Sequence, residues 1–242
     1  MRRTIKLCWL IILVLPFFAL LIWWLRLEPS NDRNWSRDQR ILPSAQLTDN
    51  TLVVQNVRNA VYRSTSDYDL AYEEREYDLT KLESLWYIVE PFSDWKGAAH
   101  TFLSFGFEGG DYLAVSIEIR KEEGESFSAW KGLFRQYEIM YVFGDERDLI
   151  KLRSNYRKDD VFLYPIRATQ EQMHFLLLDM VTRANQLKEN PEFYSTLTNT
   201  CTTGIVAHVN TLVPDRIPFS HKVFFPGYSD ELAYDLELID TE

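Results

Sequence analysis

The feature that most constrains this chain is an unbroken apolar segment near its N-terminus. Residues 7–25 (LCWLIILVLPFFALLIWWL) contain no charged side chain. As a helix rising about 1.5 Å per residue, this segment has nearly the ~30 Å thickness of the hydrocarbon core of a bilayer. Arg2, Arg3 and Lys6 precede it, and tryptophans lie near both of its ends. The segment therefore predicts one transmembrane helix.

The charges beside this segment also predict its orientation. Basic residues on the short N-terminal side favour a cytoplasmic N-terminus, with everything after Arg26 on the outer side. A cleaved signal peptide is the alternative interpretation, but residues 21–28 (LIWWLRLE) contain no site of small residues for cleavage. An uncleaved single-pass membrane anchor is therefore favoured.

Composition excludes several classes for the rest of the chain. Hydrophobic residues make up 46% of the sequence and aromatic residues 14%, which is typical of a packed domain and not of a disordered chain. The net charge of −10 argues against a nucleic-acid partner, because such binding depends on neutralising phosphates. The two cysteines, of which only Cys201 follows the apolar segment, are too few for a disulfide scaffold.

The pattern after the apolar segment divides the chain into parts. Residues 28–50 are polar and contain two prolines, as a linker does. We therefore expect residues 1–27 to form a cytoplasmic tip and membrane anchor, residues 28–50 a linker, and residues 51–242 one domain.

Periodicity within residues 51–242 predicts an α+β fold. A capping box at Thr169 and Gln172 opens one predicted helix, and a second runs from near Cys201 to about Leu212. Alternating or β-rich segments predict strands at 51–57, 84–89, 100–107, 112–120, 138–143 and 161–166. We expect an antiparallel sheet with helices packed against it.

Cys201 is the candidate nucleophile. It lies in the segment Asn-Thr-Cys-Thr-Thr-Gly (199–204), whose polar residues favour a helix start. A helix N-terminus lowers the pKa of a thiol, and its unsatisfied amide groups can bind an oxyanion. A buried structural thiol is the alternative interpretation, and the sequence leaves both open.

Four histidines could supply a general base. His208 lies seven residues after Cys201, about 10.5 Å along the same helix, and is too far away. His174 falls inside an amphipathic helix, and His221 falls in a proline-rich segment. His100 begins a predicted strand after Gly-Ala-Ala, where small side chains permit close approach, and is the best candidate.

Glu118 is the candidate that would orient the imidazole. It shares one face of its strand with Ser116 and Arg120, and that face would meet His100. An ion pair between Glu118 and Arg120 or another arginine is the alternative. The chain has no Walker loop, dinucleotide fingerprint, zinc-binding helix or nucleophile elbow. We therefore predict neither a cofactor nor a metal, and thiol chemistry leads by elimination.

Four segments in order resemble the Lnb N-terminal periplasmic domain family, which is named for a bacterial lipoprotein N-acyltransferase. They are AHTFLSFGF, SIEIRKEEGESFS, GLFRQYEIMYVFGDERDLIKLRSNYR and NTCTTGI, and the resemblance extends from about Asn56 to the C-terminus. It implies a circularly permuted papain-like (NlpC-type) fold in which histidine precedes cysteine. It also implies Cys201 as nucleophile and His100 as base, with Glu118 added by position only.

The resemblance implies a bacterial inner-membrane protein whose C-terminal domain is periplasmic. We expect a thiol-dependent acyl hydrolase or acyltransferase that acts on lipid, lipoprotein or peptidoglycan substrates. A non-catalytic envelope scaffold or partner-binding module is one alternative, and a cell-wall peptide amidase is another. Members with acyltransferase activity are expected to have a larger membrane portion than this chain, so thiol chemistry is the more general implication.

Overall fold

The N-terminal apolar segment forms a helix. The structure is a computed structural model that describes residues 2–240, and side chains from residue 14 onward. Helix α1 spans Arg2–Leu25. Within the described residues, no helix has both the length and the apolar character needed to cross a bilayer. This corrects the expectation of a transmembrane helix at 7–25, of which residues 7–13 lie outside the described side chains.

One sheet forms the centre of the domain. The described residues form eight strands: β1 (Ser44–Thr48), β2 (Thr51–Tyr62), β3 (Tyr68–Asp78), β4 (Leu82–Pro91), β5 (Ala99–Phe107), β6 (Asp111–Arg120), β7 (Glu138–Gly144) and β8 (Phe162–Pro165). Hydrogen bonds join neighbouring strands in the order β1–β2–β7–β6–β5–β4–β8, and β3 pairs with β2.

The sheet is mixed, so the prediction of an antiparallel sheet is wrong. Strands β2 and β7 are parallel where Arg58 faces Gly144. A side chain at Gly144 would place its Cβ only 3.2 Å from the Arg58 carbonyl oxygen, and glycine avoids this contact. The Arg58 guanidinium also binds the buried Asp148 carboxylate at 2.9 Å. Alternation along a strand does not encode its direction relative to a distant strand.

Helices cover both faces of the sheet, and the α+β class is as expected. The α-helices after α1 are α2 (Ala129–Leu133), α3 (Glu146–Lys151, continued by a π-helical segment, Leu152–Arg157), α4 (Gln170–Glu189), α5 (Cys201–Leu212), α6 (His221–Phe224) and α7 (Ser229–Asp235). Helix α4 begins with the predicted capping box at Thr169 and Gln172, and α5 has the predicted bounds.

Alternation along β5 assigns its side chains to two different layers. Thr101 and Leu103 point to the layer of α4 and α5, where Thr101 Oγ1 lies 2.9 Å from Thr202 Oγ1. Phe102 and Ser104 point to the layer of α3, where Ser104 bonds with Glu146. The larger hydrophobic core fills the α4–α5 layer.

The segment 28–50, for which a linker was predicted, packs against the domain. Trp35 is buried, and its ring lies 4.3 Å from the guanidinium carbon of Arg120. Gln39 is buried as well and donates to the Ile119 carbonyl at 2.9 Å. Strand β1 pairs with β2. A buried tryptophan and strand pairing hold this polar segment against the domain.

Candidate functional site

Cys201 is the first residue of α5, as its sequence context predicts. Thr200 caps the helix, because its side chain accepts from the Thr203 amide and Thr203 in turn accepts from the Thr200 amide. In a helix, the first amide groups have no intrahelical acceptor, so those of Cys201 and Thr202 remain available for an oxyanion.

The thiol lies among hydroxyl groups. Cys201 is only 8% exposed, and its sulfur lies 3.8 Å from the Thr202 hydroxyl, which bonds to Thr101 on β5. Burial raises the pKa of Tyr87 and of Tyr194, and the negative charge of a Cys201 thiolate raises both further. Both tyrosines are therefore neutral near the thiol at physiological pH.

His100 belongs to a second polar cluster. Its Nε2 lies 2.8 Å from the Ser116 hydroxyl, which donates to Glu118 at 3.0 Å. The distance from His100 Nε2 to Glu118 Oε1 is 3.9 Å. The His100 ring also stacks on Phe102, with centroids 5.7 Å apart. The structure thus brings His100 and Glu118 together through Ser116.

The charges around this cluster keep the imidazole neutral. Burial, with the nearby Arg153 guanidinium, lowers the pKa of His100 to about 3. Because the Ser116 hydroxyl gives its proton to Glu118, the neutral ring donates from Nε2 to Ser116 and carries no proton on Nδ1. Burial alone would raise the pKa of Glu118, but Arg153 and Arg58 bring it well below its ordinary value.

Cys201 and His100 lie in different layers. His100 shares its face of β5 with Phe102, whereas Thr101 contacts the first turn of α5. Among the described side chains, no hydrogen bond or ion pair joins the Cys201 thiol to the His100 ring. The thiol–imidazole pair therefore stays a prediction that this geometry does not support.

Glu118 forms an ion pair with Arg153 and not with Arg120, the arginine on its own face of β6. Its carboxylate accepts from Arg153, with 3.2 Å between Nη2 and Oε1, and from Gln39 at 3.3 Å. Arg120 instead donates to the carbonyl groups of Gln39 and Arg40. Arg153 follows α3 in the chain, so its approach to β6 depends on tertiary packing.

His208 forms a buried relay that spacing along the helix did not reveal. Its Nδ1 lies 2.7 Å from an Asp179 oxygen on α4, and its Nε2 lies 2.6 Å from the Tyr141 hydroxyl on β7. Burial lowers the pKa of His208, and Asp179 opposes that shift. The relay joins α4, α5 and β7, while His208 remains two helical turns from Cys201.

An apolar cavity adjoins the start of α5. It has a volume of about 220 Å³ and lies between β4, β5, α4, α5 and α7. Its wall on α5 is formed by five residues and begins one residue after the thiol: Thr202, Ile205, Val206, Val209 and Leu212. The spacing of these five residues on one helical face was a usable sequence signal. The opposite walls come from distant segments and were not predictable.

Comparison with known proteins identifies the family. Residues 68–227, about two thirds of the chain, match the family described as the Lnb N-terminal periplasmic domain. No curated protein and no solved structure matches the chain significantly. The relationship to permuted papain-like hydrolases is therefore unconfirmed.

Proposed function

We propose that this chain, which belongs to the Lnb N-terminal periplasmic domain family, is a thiol-dependent acyl hydrolase or acyltransferase. Its substrates would be lipids or lipoproteins in the periplasm. One observation carries the proposal: α5 begins with Cys201 and continues as a wall of the apolar cavity. One helix thus carries both the proposed nucleophile and a wall of the proposed acyl-binding cavity.

The cavity favours an acyl chain over a peptide as the bound group. Its volume is several times the ~30 Å³ that one water molecule occupies in the liquid. Most of its lining is aliphatic, for example Ile205 and Val209 on α5, and burying methylene groups there releases about 0.8 kcal/mol each. A polar peptide would lose hydrogen bonds to water on entering. The geometry therefore favours acyl transfer over cell-wall amidase activity.

The proposed reaction starts with attack of the Cys201 thiolate on the carbonyl carbon of an acyl ester. The S–C bond forms, the amides of Cys201 and Thr202 bind the oxyanion, and the ester C–O bond then breaks to give a thioester. The departing alkoxide takes up the proton that the thiol gave to the base. Water or an amine next attacks the thioester and gives a proton to the base, and the thiolate leaves. Attack by water makes the protein a hydrolase, and attack by an amine makes it a transferase.

The proposed base lies in a different polar cluster from the thiol. His100 is neutral, as a base must be, but a pKa of about 3 makes its imidazole a weak proton acceptor at neutral pH. Its ring also bonds to Ser116 on the opposite side of the sheet from Thr101 and Thr202. We therefore keep His100 as base and Glu118 as its orienting partner only as predictions.

A non-catalytic acyl-binding or partner-binding module is the second candidate. Low exposure of Cys201 favours it, because a nucleophile must meet its substrate. The hydroxyl groups around the sulfur also favour it, since they supply no base. In that case the cavity would bind an acyl chain without turnover.

Thioester trapping distinguishes the two candidates. The full chain, with Cys8→Ser so that Cys201 is its only thiol, is incubated with p-nitrophenyl octanoate or p-nitrophenyl acetate and analysed by intact mass. We expect an octanoyl adduct that hydroxylamine removes and that Cys201→Ser lacks. Val206→Phe, which fills the cavity, should slow octanoylation more than acetylation. A wild-type chain that forms no adduct, or forms it equally in Cys201→Ser, would favour the module.

A further inference from the structure

Exposed aromatic side chains cluster on the loops at one end of the sheet. They lie in the β4–β5 connection and in the segment between β6 and β7 that contains α2. The most exposed is Trp130, with 72% of its surface accessible. We define the aromatic rim by its five large exposed rings: Phe92, Trp95, Phe127, Trp130 and Phe134.

Ring contacts connect these loops into one surface. Phe92 of the β4–β5 connection packs edge-on against Phe127, with centroids 6.1 Å apart. Trp95 packs in the same way against Phe225, just after α6, at 5.3 Å. These contacts join the β4–β5 connection to the segment before α2 and to the segment after α6, which are far apart in the chain. Contiguous exposed apolar surface of this kind marks an interaction site.

The rim lies at the same end of the domain as the start of α5. Thr196, in the loop that leads to Cys201, donates to the carbonyl group of Ala129 at the start of α2 at 2.8 Å. The amide of Gly227, just beyond Phe225, donates to the Gly97 carbonyl in the β4–β5 connection. The segment that leads to Cys201 is thus held against one aromatic loop, and the segment after α6 is held against the other.

Helix α1 reaches the domain beside this surface. The guanidinium carbon of Arg135, next to Phe134, lies 4.2 Å from the centre of the Trp24 ring at the end of α1. The described part of α1 exposes Leu15, Phe17 and other apolar side chains. Arg135 therefore joins the end of α1 to the rim beside Phe134.

The charges on the rim are balanced. Lys96 pairs with Glu231 at 2.6 Å, and Lys131 pairs with Glu125 at 3.0 Å. A surface of Trp and Phe rings with balanced charges suits the zone between phospholipid headgroups and acyl chains, where aromatic rings are enriched. An acidic or basic partner would instead require an excess of the opposite charge.

We infer that the aromatic rim is a docking surface for a phospholipid bilayer, into whose interface the rings of Phe92, Trp95, Phe127, Trp130 and Phe134 insert. Peripheral docking of this kind needs no membrane-spanning element. Docking of the rim would turn the start of α5 towards the lipid. This inference is independent of any reaction at Cys201.

Quenching by brominated lipid tests the inference residue by residue. The full chain is mixed with vesicles of dioleoyl phosphatidylcholine or of its dibromostearoyl analogue, and tryptophan emission is compared for the wild type and for the double variant W95F/W130F. Subtracting the two spectra isolates the emission of Trp95 and Trp130, because the other five tryptophans, at positions 9, 23, 24, 35 and 86, are common to both proteins. We expect this difference emission to fall in brominated vesicles.

Vesicle partitioning supplies the second measurement. The variant W95S/W130S should partition about tenfold less into phosphatidylcholine vesicles, since two rings lose their burial. V61S/F162S, which removes two exposed apolar side chains elsewhere on the sheet, is the matched control and should partition like wild type. Difference emission that bromine leaves unchanged would overturn the inference. So would a W95S/W130S variant that only loses self-association, which would make the rim a protein interface.

Discussion

The pH dependence of stability offers the sharpest test of where His100 lies. His100 has a folded-state pKa of about 3, against an ordinary value of 6.5, because it is buried beside Arg153. Below pH 6.5 the unfolded chain therefore binds a proton that the folded chain refuses. The stability contributed by the neutral ring is fully present above pH 6.5 and is lost as the pH falls towards 3.

The size of this loss follows from the shift. Each unit of pKa difference corresponds to about 1.4 kcal/mol, so between pH 7 and pH 4.5 His100 should remove about 2.5 kcal/mol from the free energy of unfolding. The side chain is 16% exposed, so solvent screening reduces this value only modestly. The variant His100→Gln retains a donor for Ser116 but has no titrating side chain at this position. Between pH 7 and pH 4.5, its free energy of unfolding should therefore decrease by about 2.5 kcal/mol less than that of the wild type.

Urea denaturation of the full chain at pH 7 and pH 4.5 measures this difference in the free energy of unfolding. With the m-value usual for small proteins, it corresponds to a change of roughly 1 M in the urea midpoint. His221→Asn, at an exposed histidine, is the control and should behave like wild type. Identical losses in wild type and His100→Gln would refute the buried neutral ring. A wild-type protein that instead loses stability as the pH rises past 6.5, relative to His100→Gln, would indicate an imidazolium paired with a thiolate.

Three further predictions concern single contacts. Arg153→Met should destabilise the fold by about 3–5 kcal/mol in urea unfolding, because it leaves the carboxylates of Glu90 and Glu118 without their main partner. The control Arg157→Met, at a partly exposed side chain, should cost below about 1 kcal/mol. Gly227→Ala should lower stability by at least about 1–3 kcal/mol, since its Cβ would overlap the Lys96 carbonyl group, and an unchanged melting temperature would contradict this packing. Thr200→Ala should cost about 1 kcal/mol through loss of the helix cap and should speed alkylation of Cys201, measured by intact mass, as the first turn opens more often.

Much of the secondary structure was predictable, because its signals are local. The α4 capping box and the start of α5 at Cys201 depend on residues within four positions of each other, and the structure confirms both. Strand β3 was missed since its exposed residues are charged and alternate with few apolar ones. The parallel pairing of β2 with β7 depends on contacts between segments about ninety residues apart, such as that of Arg58 with Asp148.

The sequence by itself determined which side chains could carry chemistry, and only the tertiary structure decided which of them meet. It placed Cys201 at a helix start, and alternation put His100 on one face of β5. Which face receives α5 depends on how the helices pack on the sheet. In that packing, Thr101 and not His100 contacts the first turn of α5, and Glu118 forms an ion pair with Arg153. A local pattern fixes the direction of a side chain relative to its own strand, whereas its partner depends on the burial of distant apolar surface.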